Sequence, residues 1–358
     1  MSKVLKRILK ILLIAVLAVV VLAGGFLGYL TITEFDSEPV EDAEILGTNP
    51  GKQVPMGREI TIISWNIGYG ALGKDSDFAM DGGGKAPVAD EAKVREYLSG
   101  IEQTLAAQAD AEIYMLQEID SDSSRSYGID QRTFFSKSVN AYAMNYSCPF
   151  VPYPWPPLGK VNSGLYTASD FDIDASQRIS LPCPFSWPLR IANLKRCLLV
   201  SRLPIADDDA QLVIVNQHLE AYTDPEGRQG QMDQLMEFIS SEYKKGNYVI
   251  AGGDFNQTFP GTLELYPNTH PENWEPGILE EDTIPEGFSY AFDATVPTCR
   301  LLNQPYDPSD TEGTQYYVID GFILSPNVRL RSVETLDMDF ADSDHNPVKL
   351  VVDLPVKY

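Results

Sequence analysis

The chain has 358 residues, of which 44% are hydrophobic and 22% are charged, a composition typical of a folded globular protein and not of a disordered one. It carries 51 acidic and 27 basic residues, a formal net charge of −24. Nucleic-acid binding relies on cations that replace counterions at phosphates, so this balance argues against a general binder of DNA or RNA, although it leaves room for a local basic groove.

The N-terminus has the pattern of a membrane anchor. Residues 1–10 contain four basic residues, and residues 11–32 form an uncharged run of 22 residues, long enough to cross a bilayer as a helix. A cleaved signal peptide is the alternative, but it would have a shorter apolar region and an A-x-A-like site, which we do not find. By the positive-inside rule we predict a basic cytoplasmic N-terminus at 1–10, a transmembrane helix at 11–32 and an extracytoplasmic remainder. The protein would then be a single-pass protein of the cell membrane, with the lipid bilayer as its partner.

The first elements after this span indicate an α/β domain. Residues 33–58 are polar and aperiodic and are predicted to be a linker. A strand begins at residue 59, apolar residues at helical spacing predict a helix over 91–108, and residues 113–119 form a buried strand that ends in an acid. The order strand, loop, helix and strand is typical of α/β proteins, and we predict one domain over 59–358.

The rest of the chain continues this alternation. Further strands are predicted at 163–169, 197–205, 212–222, 248–257, 316–325 and 348–354, with a helix at 228–246. Segments 151–160 and 181–190, rich in proline and aromatic residues, are predicted to be surface loops, and 257–315 is irregular. Cys148, Cys183, Cys197 and Cys299 lack CxxC spacing, so a zinc site is not expected. They are either disulfide-bonded, which an extracytoplasmic compartment permits, or buried apolar residues.

Residues with acid, amide or imidazole side chains recur where the predicted strands end or begin. They are Asn66, Glu118, His218, Asp254, Asn256, Asp320, Asp344 and His345. Each alone would suggest a turn residue or a helix cap. Because strand ends of an α/β sheet project to one edge, we expect these side chains to converge there.

The residue types suit metal-assisted phosphoester chemistry. Asn66, Glu118 and Asp344 offer the hard oxygen ligands that Mg²⁺ prefers, with Mn²⁺ or Ca²⁺ as alternatives. The metal would polarise a phosphoryl oxygen. His345 would act as a base on the attacking water or contact the phosphate, with its imidazole oriented by Asp320.

Three further residues complete this hypothesis. Asp254 and Asn256 are suited to positioning and activating the nucleophilic water, and His218 to donating a proton or hydrogen bond to the phosphate or the leaving group.

These stretches resemble the endonuclease/exonuclease/phosphatase superfamily, which includes deoxyribonucleases, sphingomyelinases and inositol polyphosphate phosphatases. The matching segments are SWNIGYG, LQEID, NSGLYTAS, VNQHL, GGDFNQ, VIDGFILS and SDHNPV, in the order of the family, from about residue 60 to residue 353. The resemblance implies a four-layer α/β sandwich of two mostly antiparallel sheets flanked by helices.

The resemblance also implies individual roles. Asn66 and Glu118 would bind metal, and Asp344 would be the adjacent metal-binding or active-site acid. The Asp–His pair would be Asp320 and His345. His218, Asp254 and Asn256 match the remaining catalytic positions, while Gln217 replaces the usual threonine before His218.

Four other residues are weaker candidates for contact with the substrate phosphate. Lys195 and Arg196 open a predicted strand and would otherwise be exposed, Tyr166 would otherwise pack in the core, and Arg228 near the start of a helix would otherwise brace the active-site loop or lie on the surface.

The expected reaction is the hydrolysis of a phosphodiester or phosphomonoester. An anchored acidic domain lies close to lipid head groups, so a lipid or head-group phosphoester is the favoured substrate. A nuclease acting on DNA or RNA outside the membrane is the first alternative, and a catalytically silent binding module is the second. The sequence gives no sign of an obligate protein partner.

Overall fold

The computed structural model describes residues 2–84, 89–153, 157–223, 225–310 and 313–356. Within these ranges the elements in chain order are α1 (Lys3–Ile32), β1 (Val40–Asp42), β2 (Glu44–Gly47), β3 (Glu59–Asn66), α2 (Glu91–Ala107), β4 (Ala111–Asp120), β5 (Val139–Val151), β6 (Gly159–Ser169), β7 (Ala175–Ser180), β8 (Cys197–Pro204), β9 (Gln211–His218), α3 (Pro225–Lys244), β10 (Tyr248–Asp254), β11 (Gln257–Thr258), α4 (Thr262–Leu265), β12 (Gly277–Ile278), β13 (Ser289–Ala291), β14 (Cys299–Arg300), β15 (Tyr316–Tyr317), β16 (Asp320–Leu324), β17 (Arg329–Thr335) and β18 (Val348–Asp353).

Two seven-stranded sheets form the body of the fold. The first has the strand order β17-β18-β3-β4-β6-β5-β2, and the second has the order β1-β7-β8-β9-β10-β16-β13. Only the pairs β3–β4 and β9–β10 run parallel within them, and the remaining neighbours are antiparallel. The prediction of two mostly antiparallel sheets is confirmed.

Alternation along the strands explains the layers. In β3, Ile60 and Ile62 pack into the core between the sheets, whereas Ile63 and Trp65 face the opposite side. Successive side chains of a strand point to opposite faces, so a strand buried on both sides is apolar throughout. The outer face of the first sheet is covered by α2, whose side chain-capped N-terminus lies at Asp90.

The second sheet is covered in the same way by α3. Met232, Leu235 and Ile239 of this helix lie on one stripe and pack against the outer side chains of β8, β9 and β10. The order helix, sheet, sheet, helix gives the four layers of the predicted sandwich.

The segment predicted to be a linker, 33–58, differs from the prediction. Its strand β1 pairs with β7 and its strand β2 pairs with β5, so this segment adds one edge strand to each sheet. The side chains of both strands are largely exposed, and pairing through backbone groups alone leaves no hydrophobic alternation in the sequence. The described parts of the segment 257–315, which are 257–310 and 313–315, are irregular as predicted, apart from short strands and short helical turns such as α4.

Helix α1 is long and apolar enough to cross a membrane, and its apolar stretch is not buried inside the fold. Only its C-terminal end touches the sheets, where Leu30 is buried. All four cysteines are unpaired, and Cys183 alone among them is exposed.

Candidate active site

The polar strand ends meet where the two sheets face each other. In the second sheet, Asp254 at the end of β10 is paired in register with His218 of the parallel strand β9 and with Asp320 of the antiparallel strand β16. Three neighbouring strands therefore place three predicted catalytic residues side by side.

The first sheet supplies the opposite side of the site. Asn66 ends β3, and Glu118 lies in β4 where the pairing with β6 shifts register between Leu116 and Ile119. Glu118 has a left-handed backbone with φ of 58°. Bulges of this kind commonly re-aim a side chain, and here the bulge explains how an acid inside a strand joins the site.

Asn66 connects the two halves. Its Nδ2 donates to Asp254 Oδ2 at 3.0 Å and to Glu118 Oε1 at 3.3 Å. The turn that follows is tight, because Gly68 has a φ of 51° and a Cβ there would lie 2.9 Å from Asp344 Oδ1. A side chain at this position would crowd both Leu72 and the Asp344 carboxylate, so the turn after Asn66 favours glycine.

His345 and Asp320 form a buried pair across the sheets. His345 Nδ1 lies 2.8 Å from Asp320 Oδ2, and both residues are almost inaccessible to solvent. Burial alone would lower the pKa of His345, but the charge and hydrogen bond of Asp320 outweigh it and raise that pKa well above its ordinary value. Hydrogen bonds to their backbone groups hold both residues in place. Trp65 Nε1 donates to the carbonyl of His345, and the amide of Asp320 donates to the hydroxyl of Thr298.

The second histidine behaves in the opposite way. Burial, together with the charges of Arg196 and His345, lowers the pKa of His218 well below its ordinary value. His218 Nε2 lies 3.4 Å from Asp254 Oδ2, and His345 Nε2 lies 3.8 Å from the same oxygen. The site thus pairs a neutral imidazole with a protonated one, and Asp254 lies between them.

Burial and the charge of Asp320 raise the pKa of Asp254 to about 7, despite the opposing charge of His345. A carboxyl with a pKa near neutrality is suited to general base catalysis. Asn256 has a left-handed backbone with φ of 50°, its amide donates to Asp254 Oδ1 at 2.8 Å, and its Nδ2 donates to the carbonyl of Leu219. The GGDFNQ turn therefore holds the Asp254 carboxylate in one orientation.

Glu118 and Asp344, which are predicted to bind metal, carry negative charges that a bound cation would balance. In the described part of the chain, neither Glu118 nor Asp344 has a lysine or arginine at ion-pair distance. Burial and the nearby charge of Glu118 raise the pKa of Asp344 to about 6, although the charge of His345 opposes this. Two carboxylates that line one cavity fit a divalent cation with oxygen ligands. The Asn66 amide turns its Nδ2 toward Glu118, and its Oδ1 accepts from the amide of Gly68 at 3.1 Å. A second grouping, Asp254, Asp320 and His345, has donor atoms within 4.8 Å of one another, but there His345 Nδ1 is already bonded to Asp320.

A cavity of about 480 Å³ opens above these groups. Its floor contains Asn66, Glu118, Asp254, Asp344 and both histidines. One wall is apolar and is made by residues Tyr146, Val151, Leu158, Leu189 and Leu194, while another carries Asp81, Tyr222 and Trp274.

The four weaker candidates for contact with the substrate phosphate differ in their position relative to the cavity. Arg196 lines the cavity, with Nη1 donating to the carbonyl of His218 at 3.4 Å and Nε lying 3.5 Å from Glu220. The other three are engaged elsewhere. Lys195 lies 3.1 Å from Glu34, the Tyr166 hydroxyl donates to the carbonyl of Arg132 within the core, and Arg228 donates to the carbonyl of Ala221 just after β9.

Several cavity residues were not predicted from the sequence. Asp81, Tyr222 and Trp274 come from separate loops, and Asn145 lies in the middle of β5 with a buried Nδ2 that has no hydrogen-bond partner among the described residues. Asp81, Asn145 and Trp274 lie at no predicted strand end. Tyr222 ends the predicted strand 212–222, but it is not an acid, amide or imidazole of the kind that revealed the other residues.

Comparison with known proteins agrees with this geometry. The sequence profile of the Endonuclease/Exonuclease/phosphatase family matches residues 63–345. The chain belongs to this family. Its members hydrolyse phosphoester bonds and generally depend on divalent metal ions, and the site described above spans the matched residues.

Solved structures show the same fold at low sequence identity. An endonuclease/exonuclease/phosphatase from Beutenbergia cavernae has a TM-score of 0.56 and 16% identity, covering 83% of this chain and 72% of that one. Family proteins from Bacteroides vulgatus and Bacteroides thetaiotaomicron have TM-scores of 0.52 and 0.50, identities of 13% and 14%, and cover 83% and 84% of this chain and 99% of theirs. No curated protein matches the sequence.

Proposed function

We propose that this chain is a metal-dependent phosphoesterase, anchored by α1 with its catalytic domain outside the cell membrane, and that it hydrolyses the phosphoester of a membrane lipid or lipid head group. The position of the apolar cavity wall, next to the C-terminal end of α1, supports this proposal. The wall and the C-terminal end of α1 share the same cluster of side chains.

The shared cluster is specific. Leu27 and Leu30 of α1 pack with Tyr146, Val151 and Ile191, together with Leu158 and Leu194. Tyr146, Val151, Leu158 and Leu194 also line the cavity. Phe26 adds an edge contact with Phe150, whose ring centroid is 5.9 Å away. The mouth of the cavity and the end of the anchor therefore face the same side of the domain.

Polar contacts hold the end of the helix against this cluster. Trp187 Nε1 donates to Thr31 Oγ1 at 3.1 Å, and Glu34 lies 3.1 Å from both Arg190 and Lys195. Apolar and aromatic side chains are exposed around the same point: Tyr29, Phe150, Tyr153, Trp187 and Leu189. Aromatic residues of this kind are enriched at membrane–water interfaces.

A lipid that stays in the bilayer would meet the cavity at this wall. Its acyl part would lie on Val151, Leu158 and Leu189, and its phosphate would reach the polar floor. A nucleic acid would need basic side chains for its phosphate backbone, and the arginines Arg125 and Arg196 of the cavity are already paired with Asp120 and Glu220.

The side chains of the floor would divide the reaction among them. Glu118 and Asp344 would hold the metal ion, which when bound supplies positive charge to a phosphoryl oxygen. Asn66 would join them with its amide turned so that Oδ1, in place of Nδ2, faces Glu118. Asp254, held by Asn66 and Asn256, would accept a proton from the attacking water. The protonated His345 would donate to a non-bridging phosphoryl oxygen, and Asp320 would keep it charged.

The full chain in lipid nanodiscs with Mg²⁺ would test this function, assayed for head-group release and, in parallel, for nicking of supercoiled plasmid, with His345→Ala as the control. We expect head-group release that disappears in the variant. Plasmid nicking without lipid hydrolysis would replace the proposal by a nuclease, and the absence of both would indicate a binding module.

A further inference from the structure

One corner of the cavity is lined by residues that belong neither to the metal-binding acids nor to the apolar wall. It is formed by Asp81, which follows β3 and its turn, Tyr222, which follows β9, and Trp274 from the irregular segment. The Tyr222 hydroxyl lies 3.5 Å from Asp81 Oδ1. The rings of Tyr222 and Trp274 have centroids 6.4 Å apart and are inclined at 59°.

The corner is built rather than incidental. Asp81 is 8% exposed, and its Oδ2 accepts from the amide of Leu302 at 3.3 Å. Trp274 is fixed by a hydrogen bond from Nε1 to the carbonyl of Ala221 at 3.1 Å and by an edge contact with Tyr317. Two tilted aromatic faces and a buried carboxylate therefore border one space.

The charge of the cavity leaves this carboxylate unbalanced. Within the described ranges, Asp81 has no lysine or arginine at ion-pair distance. The arginines that line the cavity are engaged elsewhere: Arg125 pairs with Asp120 at 2.9 Å and Arg196 lies beside Glu220. Both Nη atoms of Arg300 donate to backbone carbonyls. Burial and the charge of Asp344 raise the pKa of Asp81 to about 7, so a cation bound beside it would stabilise its charged form.

We propose that Asp81, Tyr222 and Trp274 form a subsite for an alkylammonium group, the choline- or ethanolamine-type cation of the substrate head group. Aromatic faces attract such cations through the ring quadrupole, and a desolvated carboxylate adds direct charge attraction. The amide of Leu302 donates to Asp81, and the amide of Arg300, two residues earlier, donates to the carbonyl of Asp344 at 3.0 Å. A cation at Asp81 would therefore sit near the phosphate, as the two-carbon spacer of these head groups requires. This assignment rests on the proposed lipid phosphoesterase function and narrows its substrate to zwitterionic head groups.

Calorimetric titration of the full chain in detergent with Mg²⁺ tests the subsite directly. The two ligands are phosphocholine and methyl phosphate, which share a phosphate monoester and differ in the cation. We expect phosphocholine to bind at least tenfold more tightly. Asp81→Asn and Tyr222→Ala should reduce this ratio to threefold or less.

Tyr127→Ala is the matched control, because Tyr127 and Tyr222 are both 43% exposed and Tyr127 lies outside the cavity lining. Because Tyr222 is partly exposed, Tyr222→Ala should keep the fold intact even if substitution of the buried Asp81 destabilises it. Equal affinity for the two ligands, or a preference that survives in both subsite variants, would overturn the subsite. A preference for phosphocholine without hydrolysis of any lipid would support the subsite and reject the proposed lipid substrate.

Discussion

His345 and Asp320 are joined by a 2.8 Å contact between Nδ1 and Oδ2, although one residue precedes a strand of the first sheet and the other begins a strand of the second. The pair therefore forms only when the two sheets pack together correctly. Catalytic competence is in this way tied to the packing of the whole sandwich, and the charge on His345 depends on a partner 25 residues away in sequence.

Replacing Asp320 by Asn tests the role of this pair. Without the carboxylate, burial would lower the pKa of His345, so the imidazole would lose its proton at lower pH. We expect kcat on bis(4-nitrophenyl) phosphate to fall by about 10²–10⁴-fold and the alkaline limb of the pH–rate profile to move to lower pH. A thermal melt of the variant provides the folding control. An alkaline limb that does not move would show that His345 does not act in its protonated form.

Glu118→Gln and Asp344→Asn test the metal site. We expect each variant to raise the Mg²⁺ concentration for half-maximal activity at least tenfold, and to abolish the rise in Tm that Mg²⁺ gives the unmodified protein by mass action. Asp122→Asn, an exposed carboxylate paired with Lys160, is the control. A normal Mg²⁺ response in both variants would place the metal elsewhere.

Asp344→Asn has a second expected effect in the absence of metal. The pKa of Asp344 is raised from 3.8 to about 6, so the folded state holds this proton more tightly than the unfolded state does. The resulting stability is present at low pH and is lost as the pH rises from about 4 to about 6. At pH 7 the uncharged variant should therefore be more stable than the metal-free parent, by roughly 3 kcal/mol. Urea denaturation in EDTA measures this difference, and a less stable variant would contradict it.

The parts of the fold that were predictable are those in which side-chain chemistry follows backbone geometry. The apolar spacing of Val94, Leu98 and Ile101 predicted α2, and the polar residues at strand ends predicted the floor of the site. Strand ends are informative because the sheet itself fixes where they meet.

The remaining parts depend on contacts that leave no local pattern. Strands β1 and β2 are held by backbone pairing with exposed side chains, so nothing in their composition distinguishes them from a linker. Asp81 and Trp274 both contact Tyr222 only because their loops converge over the cavity. Asn145 looks like any polar residue of a strand until the cavity above it is known.

The apolar wall gives a prediction about lipid access. Leu189 is 66% exposed and lines the cavity, and a charge there should oppose contact with acyl chains. We expect Leu189→Glu to lower the ratio of lipid hydrolysis in nanodiscs to hydrolysis of bis(4-nitrophenyl) phosphate by at least fivefold. Leu265→Glu, at a leucine that is 59% exposed and outside the cavity lining, is the matched control. Equal ratios in the two variants would remove the wall from the path of the substrate.

The last prediction concerns stability at a position far from the cavity. Glu242 of α3 accepts hydrogen bonds from both Nη atoms of Arg202 at 2.8 and 2.9 Å, from Asn247 at 2.8 Å and from Lys245 at 2.7 Å. Burial alone would raise the pKa of Glu242, but these hydrogen bonds outweigh it and lower the pKa from 4.5 to about 2. The group therefore stabilises the fold above about pH 4.5, and this contribution is lost as the pH falls towards 2.

Glu242→Gln should lower the free energy of unfolding at pH 7 by about 2–4 kcal/mol, because it leaves Arg202 without its carboxylate partner. The loss should shrink as the pH falls from 4.5 towards 2, because the unfolded parent then binds a proton at Glu242 while the folded parent does not. Urea denaturation followed by tryptophan fluorescence measures both values, since all four tryptophans lie outside α1. The exposed pair of Glu91 and Arg95 gives the comparison, and Glu91→Gln should cost less than about 0.5 kcal/mol. Similar losses for the two variants would mean that the buried network around Glu242 contributes no more than a surface ion pair.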